Sequence, residues 1–250
     1  MGGHSHWAGI KHKKAANDAK KGKVWTKIVR EIGIAAKTGG GDPGGNPRLR
    51  QAIDDARAAN MPADNVKRAI QKGTGELPGA VYEELTYEGY GPGGVAVFAE
   101  GSTDNRNRTT NEVRKIFENN GGNMGQAGCV AFLFEKKGYI EVPKSKISED
   151  DLLALTLDLG AEDIRSEGSE VFEVITPPQN FQAVLDALKA KGAAGETAEL
   201  TMLPKTQVAV GAEAAAKIIG LIEALEDHDD VSKVYANFDI PEKVLASLEK

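Results

Sequence analysis

The sequence has 250 residues, of which 40% are hydrophobic and 27% charged, a composition typical of a globular protein of about one to three domains. Its apolar stretches are too short for a membrane-spanning helix and no charged-then-apolar leader opens it, so we expect a cytoplasmic protein. The single cysteine, Cys129, excludes an intrachain disulfide framework and a thiolate metal cage.

The net charge of −6 conceals two oppositely charged segments. Residues 1–72 hold 15 Lys and Arg against 6 Asp and Glu, a net charge of +9, whereas residues 73–250 hold 16 against 31, a net charge of −15. Such a reversal is typical of a protein in which one part faces a polyanion and the rest does not. The alternative is an ordinary solvated surface.

The basic segment is predicted to form an arm and three short helices. Residues 1–23 contain lysines, glycines and histidines but almost no aliphatic core formers, which is typical of an extended or partly helical arm. From Trp25 to Ala36 apolar residues recur at helical spacing, and a basic face runs beside them through Lys20, Lys23, Lys27 and Arg30. The predicted helices cover residues 24–37, 48–60 and 62–71, and a flexible glycine- and proline-rich loop, 38–47, separates the first two.

After residue 75 the pattern changes to alternating strands and helices. Residues 138–204 give the order βαββαβ, with strands at 138–142, 161–166, 170–175 and 198–204 and helices at 149–158 and 179–190. The flanking segments give a second βαββαβ outline, with strands at 94–100, 121–135 and 230–238 and helices at 106–119 and 212–226. A further strand is predicted at 82–88 and a last helix at 241–249.

The expected fold is therefore multidomain, α and α+β. A small N-terminal helical domain precedes two ferredoxin-like βαββαβ domains, one of them inserted in the other. The predicted domains are 1–75, a discontinuous domain of 80–136 with 206–250, and an inserted domain of 137–205.

No pattern in the sequence predicts an active site. Residues 89–94 match G-x-G-x-x-G, but a strand rather than a helix follows them, so they are interpreted as a hairpin connection. The loop at 39–45 lacks the Gly-Lys-Ser/Thr ending of a nucleotide-binding loop. Cys129 is placed in a predicted strand at 128–135 as a buried small hydrophobe. Two acidic groups are interpreted as solvated faces: Glu83, Glu84 and Glu88, and Glu226, Asp227, Asp229 and Asp230.

The histidines near the N-terminus allow one metal hypothesis. If Met1 is removed, the new terminus is Gly-Gly-His, whose amine, amides and imidazole suit square-planar Cu(II) or Ni(II). The preferred interpretation is that the histidines and Trp7 stack on bases or sugars. We therefore expect neither a metal nor a cofactor.

A second basic cluster, residues 101–110, precedes the helix predicted at 106–119. Asp104 or Asn105 can cap that helix, and Arg106 and Arg108 then project from its start. Arginine offers forked donors for phosphates and base edges. The alternative, equally supported, is capping together with a salt bridge to an acidic face.

The candidate nucleic-acid-binding residues come from the arm, the first helix, the glycine loop and these clusters. They are His4, Ser5, His6, Trp7, Lys11, His12, Lys13, Lys14, Lys20, Lys21, Lys23, Lys27, Arg30, Gly39, Gly40, Gly41, Arg48, Arg50, Arg106 and Arg108.

Six motifs make the chain resemble a known family, YebC/PmpR, which includes the mitochondrial translational activator of cytochrome c oxidase. The motifs are GHSHW at 3–7, KHKKA at 11–15, DAKKGK at 18–23, GGGDP at 39–43, NPRLR at 46–50 and TDNRNR at 103–108. The resemblance extends over the whole chain. It implies a helical domain followed by two α/β domains, and either DNA-binding transcriptional regulation or translation at the ribosome, including relief of stalling on proline-rich sequences.

Two functions remain open, and neither is enzymatic. A DNA-binding regulator agrees with the family's usual description, although the sequence has no evident recognition helix. A ribosome-associated translation factor that binds ribosomal or transfer RNA agrees with a flexible basic arm, because RNA is recognised mainly by shape and backbone. The expected partners are thus DNA or ribosomal RNA and the ribosome, with no membrane and no small-molecule substrate.

Overall fold

The computed structural model describes most of the chain as two compact units. The described residues are 18–166, 170–195 and 197–241, with backbone alone described at 18–21. Residues 131–207 form one unit, and the segments 18–130 and 208–241 together form the other.

The elements follow one another in the order expected for a helical segment and two α/β segments. In chain order they are α1 (Asp18–Gly39), α2 (Pro47–Ala58), α3 (Ala63–Thr74), β1 (Glu83–Tyr90), β2 (Ala96–Thr103), α4 (Arg106–Asn119), β3 (Asn123–Met124), β4 (Phe134–Pro143), α5 (Glu149–Thr156), β5 (Asp163–Arg165), β6 (Val171–Thr176), α6 (Phe181–Ala190), β7 (Ala198–Pro204), β8 (Val208–Ala209), α7 (Ala212–Glu226), β9 (Val231–Ala236) and β10 (Phe238–Asp239).

The first helix is longer than the sequence predicts. The apolar pattern places its start at residue 24, but the helix is described from Asp18 onward, so residues 18–23 of the arm are helical, in agreement with the partly helical alternative. Periodicity could not find these turns because the sequence of residues 18–23, DAKKGK, contains no large apolar residue to mark a face. Residues 1–17 of the arm lie outside the described part.

The three helices share a small core in which α1 is central. Ile32, Ala36 and Leu49 are buried there, and α1 packs against both α2 and α3. The crossing of α1 and α3 is close, because a Cβ at Gly73 would overlap the carbonyl oxygen of Gly33. Only a residue without a side chain allows this approach.

The larger unit contains an antiparallel sheet of order β3-β1-β2-β9, against which α4 and α7 pack. Val97 and Phe117 belong to this core, as do Ile218 and Leu221 of α7. A short parallel pair, β8 with β10, lies in the same unit. The connection at 89–94 joins β1 to β2 as a hairpin, which confirms that interpretation of the glycine motif.

The smaller unit contains an antiparallel sheet of order β5-β6-β4-β7, the ferredoxin-like order predicted for residues 138–204. Its core lies between the sheet and helices α5 and α6, with Ile140, Leu152 and Leu188 fully buried. The two ends of the unit meet, since Lys205 N donates to the Leu133 carbonyl oxygen at 2.8 Å. The predicted domain boundaries stay predictions.

The larger sheet has the same layout, but one strand comes from an unexpected place. When its four strands are numbered along the chain, the smaller sheet has them side by side in the order 2-3-1-4. The larger sheet has the same spatial order if β2, β3, β1 and β9 take the places of the first, second, third and fourth strands. Strand β1 therefore occupies the place of the third strand, although it comes first along the chain. The prediction of strands over 121–135 holds only at the two ends of that range, since Asn123–Met124 pairs with this sheet and Phe134 begins β4, whereas residues 125–133 form no strand.

The physical reason lies in a buried carboxylate. Glu88, interpreted from the sequence as solvated, is only 4% exposed. It accepts hydrogen bonds from Gly128 N (2.6 Å) and Val130 N (2.8 Å), which holds this segment as a turn. Gly128 has a φ of +89°, a backbone conformation incompatible with a strand. Cys129 is therefore half-buried in a turn and not buried in a strand, and burial raises the pKa of its thiol.

Candidate nucleic-acid interface

The candidates of the basic arm lie largely outside the part of the chain that the structure describes. His4, Ser5, His6, Trp7, Lys11, His12, Lys13 and Lys14 precede residue 18, and at Lys20 and Lys21, in the first turns of α1, only the backbone is described. The candidates with described positions are Lys23, Lys27, Arg30, Gly39, Gly40, Gly41, Arg48, Arg50, Arg106 and Arg108. Their contacts decide which of them are open to a partner.

One face of α1 lies against the acidic turn, defined here as residues 226–230 at the end of α7. Lys23 Nζ donates to the Asp227 carbonyl oxygen at 3.0 Å and lies 3.9 Å from the same residue's carboxylate. Lys27 Nζ donates to the Glu226 carbonyl oxygen at 2.5 Å. Burial lowers the pKa of Lys27, although the acidic neighbours oppose this shift. Cations are favourable at the unsatisfied carbonyls of a helix C-terminus, so α1 caps α7.

Arg30 continues this face and is more enclosed, with its side chain 14% exposed. Its Nη1 atom lies 2.6 Å from Asp230 Oδ1 and 2.6 Å from the Asp229 carbonyl oxygen, and donates to both. The guanidinium also lies over the ring of Tyr82, 5.2 Å from its centroid. A phosphate would have to displace these contacts before it could reach Arg30.

Asp230 is the centre of this contact, and the interpretation of it as a solvated residue was wrong, because it is 3% exposed. Its carboxylate accepts hydrogen bonds from Thr109 Oγ1 (2.5 Å), Arg108 Nη2 (2.8 Å) and Thr103 Oγ1 (3.1 Å). Burial alone would raise the pKa of Asp230, but these hydrogen bonds and the charge of Arg30 lower it to about 2. One ionised side chain thus joins α1 to β2 and α4.

The backbone around Asp230 explains how the carboxylate reaches this position. The pairing of β2 with β9 shifts by one residue between Glu100 and Gly101. A Cβ at Gly101 would overlap the Asp230 carbonyl oxygen, and that oxygen accepts a hydrogen bond from Ser102 N at 2.8 Å. The glycine therefore permits the turn before β9 to approach the sheet closely.

Two further arginines of the candidate set also contact acidic side chains of the protein. Arg48 forms hydrogen bonds with both oxygens of Glu31 (2.6 and 3.1 Å) and both oxygens of Glu84 (2.6 and 3.2 Å). These hydrogen bonds raise the pKa of Arg48, and those with Glu31 contribute most. Arg106 is more loosely placed, 3.7 Å from a carboxylate oxygen of Glu83. Arg48 thus links Glu31 of α1 to Glu84 of β1, whereas Arg106 remains accessible.

The contacts of Arg108 favour capping and ion pairing, one of the two alternatives that the sequence left open. The side chain of Asn105 caps α4 by accepting from Arg108 N at 3.1 Å. The Arg108 guanidinium donates to Asp104 at 3.0 Å as well as to Asp230. Its donors are therefore directed at carboxylates of the protein.

The first half of the glycine loop is fixed by a buried side chain. Asn46 Nδ2 donates to the carbonyl oxygens of Ala35 (2.8 Å) and Gly40 (2.9 Å), and its Oδ1 accepts from Leu49 N (3.1 Å). A Cβ at Gly39 would lie only 2.6 Å from Asn46 Nδ2. The loop is thus tied to the ends of α1 and α2, in contrast to the flexible turn that the sequence predicts.

The second half of the loop is closed by Asp42. Its carboxylate accepts from Gly44 N at 2.9 Å and its carbonyl accepts from Gly45 N at 3.2 Å. At Gly41 a Cβ would contact the side chain of Ile70 in α3. Gly40 is exposed with a φ of +86° and open space beside it. Backbone at Gly40 therefore remains open to a partner.

Several cations of the helical domain are exposed without an acidic partner among the described residues. Arg50 lines a shallow groove with Pro43, Gly44, Ile53, Asp54 and Arg57. Helix α3 adds three cations that the sequence analysis did not include, Lys67, Arg68 and Lys72. The signal that could have found them is the alternation of these residues with Val66, Ala69, Ile70 and Gly73 at helical spacing.

Within the described ranges, the structure holds no cluster of three or more His, Cys, Asp or Glu side chains suited to a metal ion. The same ranges contain no helix with the length and apolar character needed to cross a membrane. The Gly-Gly-His terminus considered above lies outside them.

Comparison with known proteins gives matches over nearly the whole chain. Residues 5–76 match the model of the TACO1/YebC protein N-terminal domain, and residues 82–238 match that of the TACO1/YebC second and third domain. A "probable transcriptional regulatory protein" of Elusimicrobium minutum is 55% identical over 251 residues, covering 100% of both chains. Another with that name, from Dictyoglomus turgidum, is 56% identical over 249 residues, covering 99% of this chain and 100% of the relative.

A solved structure also resembles this chain. The crystal structure of a conserved hypothetical protein, Aq1575 from Aquifex aeolicus, matches with a TM-score of 0.83 and 51% sequence identity. The match covers 96% of this chain and 99% of that chain. This likeness confirms the predicted fold class, a helical region followed by mixed α/β segments.

Proposed function

The chain belongs to the TACO1/YebC family, as its motifs predicted, and we propose that it is a non-enzymatic regulator of gene expression that binds nucleic acid through its basic N-terminal segment. The relatives' name, probable transcriptional regulatory protein, supports a regulatory role. The observation that carries the proposal is the net charge of +9 on residues 1–72 beside −15 on the remainder. Lysines that neutralise phosphates release counterions, and this supplies an affinity for nucleic acid that does not depend on base sequence.

The contacts of the candidate side chains favour binding to the phosphate backbone over reading of base sequence. Base reading requires forked side chains that project freely from a helix or strand into a groove. Arg30, Arg48 and Arg108 instead direct their donors at Asp230, Glu31 and Glu84 within the protein. Among the candidates whose side chains are described, Arg50, Arg106 and the backbone at Gly40 are left for phosphates.

Two polymers fit this mode of binding. Promoter DNA is the first candidate, because of the name that the relatives carry. Structured RNA of the ribosome is the second, and one observation favours it. Arg30, Arg48 and Arg108 form ion pairs with carboxylates of the protein, and RNA is recognised by shape and backbone without a base-reading helix. In that case the regulator acts on translation, including on ribosomes stalled at proline-rich sequences.

Crosslinking in cells followed by sequencing of the attached nucleic acid tests the proposal and separates the two polymers. Discrete DNA peaks near promoters support transcriptional regulation, and predominant ribosomal RNA supports translation. Recovery of no more nucleic acid than from an unrelated acidic protein contradicts the proposed function altogether.

The role of the arm has its own test. Replacing Lys11, Lys13 and Lys14 with Ala removes three phosphate contacts, so the slope of log affinity against log salt should become shallower by about 2 to 3. The matched control replaces three exposed lysines of the smaller unit, Lys136, Lys189 and Lys191, with Ala. Equal slopes for the two variants would contradict a role for the arm.

A further inference from the structure

The exposed side of helix α3 carries three cations. Lys67, Arg68 and Lys72 are exposed, and no ion pair joins them to a carboxylate within the described segments. The chain has 37 acidic residues and only 31 basic ones, and other cations of the same domain, such as Arg30 and Arg48, do contact acidic groups. The three side chains of α3 are thus available to an external anion.

Two of these side chains contact neighbouring groups of the protein. The Arg68 guanidinium donates to Asn65 Oδ1 at 2.8 Å and to the Asp64 carbonyl oxygen at 3.3 Å. The methylenes of Lys72 lie beneath Gly79, where a Cβ would be 3.1 to 3.4 Å from them. A side chain that is already ordered loses less entropy on binding. This face therefore differs from a set of freely moving surface lysines.

The position of α3 connects this face with the glycine loop. The opposite side of the helix, at Ala69 and Gly73, packs on α1. Near its C-terminal end, Ile70 and Thr74 contact the position that a Cβ of Gly41 would take. The glycine loop and α3 therefore lie side by side, and a polymer at one can extend to the other.

We propose that the exposed face of α3, formed by Lys67, Arg68 and Lys72, is a second surface that binds the phosphate backbone of the nucleic acid; this inference rests on the proposed function. Lysine supplies compact point charges to phosphate oxygens, and arginine supplies paired donors from a rigid fork. Three cations on about two helical turns suit a partner with closely repeated charges.

The test measures binding of the full-length protein to a random-sequence DNA duplex and to a ribosomal RNA hairpin over a range of salt concentrations. The variant K67Q/R68Q/K72Q removes the charges of α3 and keeps residues that favour a helix. The matched control R114Q/K115Q/K136Q removes three exposed cations elsewhere, so both variants change the net charge equally. Circular dichroism of each variant establishes that its helices are retained.

We expect the α3 variant to lose about tenfold or more in affinity at low salt and to flatten the salt slope by about 2 to 3, while the control stays near the original slope. Equal losses in the two variants would mean that only net charge matters, and an unchanged α3 variant would mean that its face is merely solvated or serves an acidic protein. Either result overturns the inference and leaves the proposed function standing. Failure of the unmodified protein to bind both polymers would overturn the proposed function and the inference together.

Discussion

Helices α1 and α3 belong to the same small helical domain, and each presents three described cations on one face. The cations of α1 contact the acidic turn at 226–230, with Arg30 reaching the buried Asp230. Those of α3 meet no carboxylate among the described residues. Equal positive charge in the sequence therefore has two uses here. On α1 it fastens the helical domain to the α/β part of the same unit, and on α3 it stays exposed.

The largest effect expected from this difference concerns the α1 side. Asp230→Asn removes the charge that Arg30 and Arg108 share, and leaves a largely buried guanidinium without its counter-ion. Removing one partner of a buried ion pair costs about 3 kcal/mol. Urea denaturation should show this loss in the free energy of unfolding. The control Asp227→Asn, whose carboxylate is 71% exposed, should change it by less than about 0.5 kcal/mol. Similar values for the two variants would show that Asp230 does not fasten the domains.

A somewhat smaller effect should appear in acid. The folded-state pKa of Asp230, about 2, lies below its ordinary value of 3.8, so the ionised carboxylate stabilises the fold above that ordinary value. This contribution is lost as the pH falls from about 4 to about 2, and it amounts to about 2 kcal/mol. The difference in unfolding free energy between the unmodified protein and Asp230→Asn should therefore narrow by that amount in this range. A difference that stays constant would contradict the depressed pKa.

The smallest effect expected is that of Lys27→Gln on nucleic-acid binding. Lys27 Nζ is directed at the Glu226 carbonyl oxygen and is partly buried, so it should contribute no phosphate contact. The slope of log affinity against log salt should change by less than about 0.5. A change close to 0.9, the value for one phosphate contact, would show that the α1 face opens toward the polymer and would weaken the distinction between the two helices.

The fold could be predicted wherever local patterns decide it. The spacing of apolar residues gave α4 and α7 with the bounds observed, and β7 likewise. The failure at 128–135 has a non-local cause, since the Glu88 carboxylate takes the amides that a strand would have used. The position of β1 within the sheet depends on its pairing with both β2 and β3, which no local pattern expresses.

In the candidate interface, too, local patterns predict where side chains lie but not which groups they contact. The sequence placed Lys23, Lys27 and Arg30 on one helical face, and the structure has them together. Their partners lie about two hundred residues further along the chain, and Glu226 follows Lys27 by 199 positions. The basic charge of α3 was visible in the sequence. Whether these cations form ion pairs could not be predicted, because that depends on where the acidic residues lie in the fold.

The interruption of the larger unit by residues 131–207 has a consequence for synthesis on the ribosome. Arg30 is made early, whereas Asp230 follows only after the whole inserted unit and α7 have been translated. Until then the cations of α1 have no carboxylate from that turn, and the sheet lacks β9 at its edge. Contacts of such long sequence separation form late and slowly. The newly made helical domain thus passes through a period in which both of its basic faces are uncovered, and completion of the chain closes one of them.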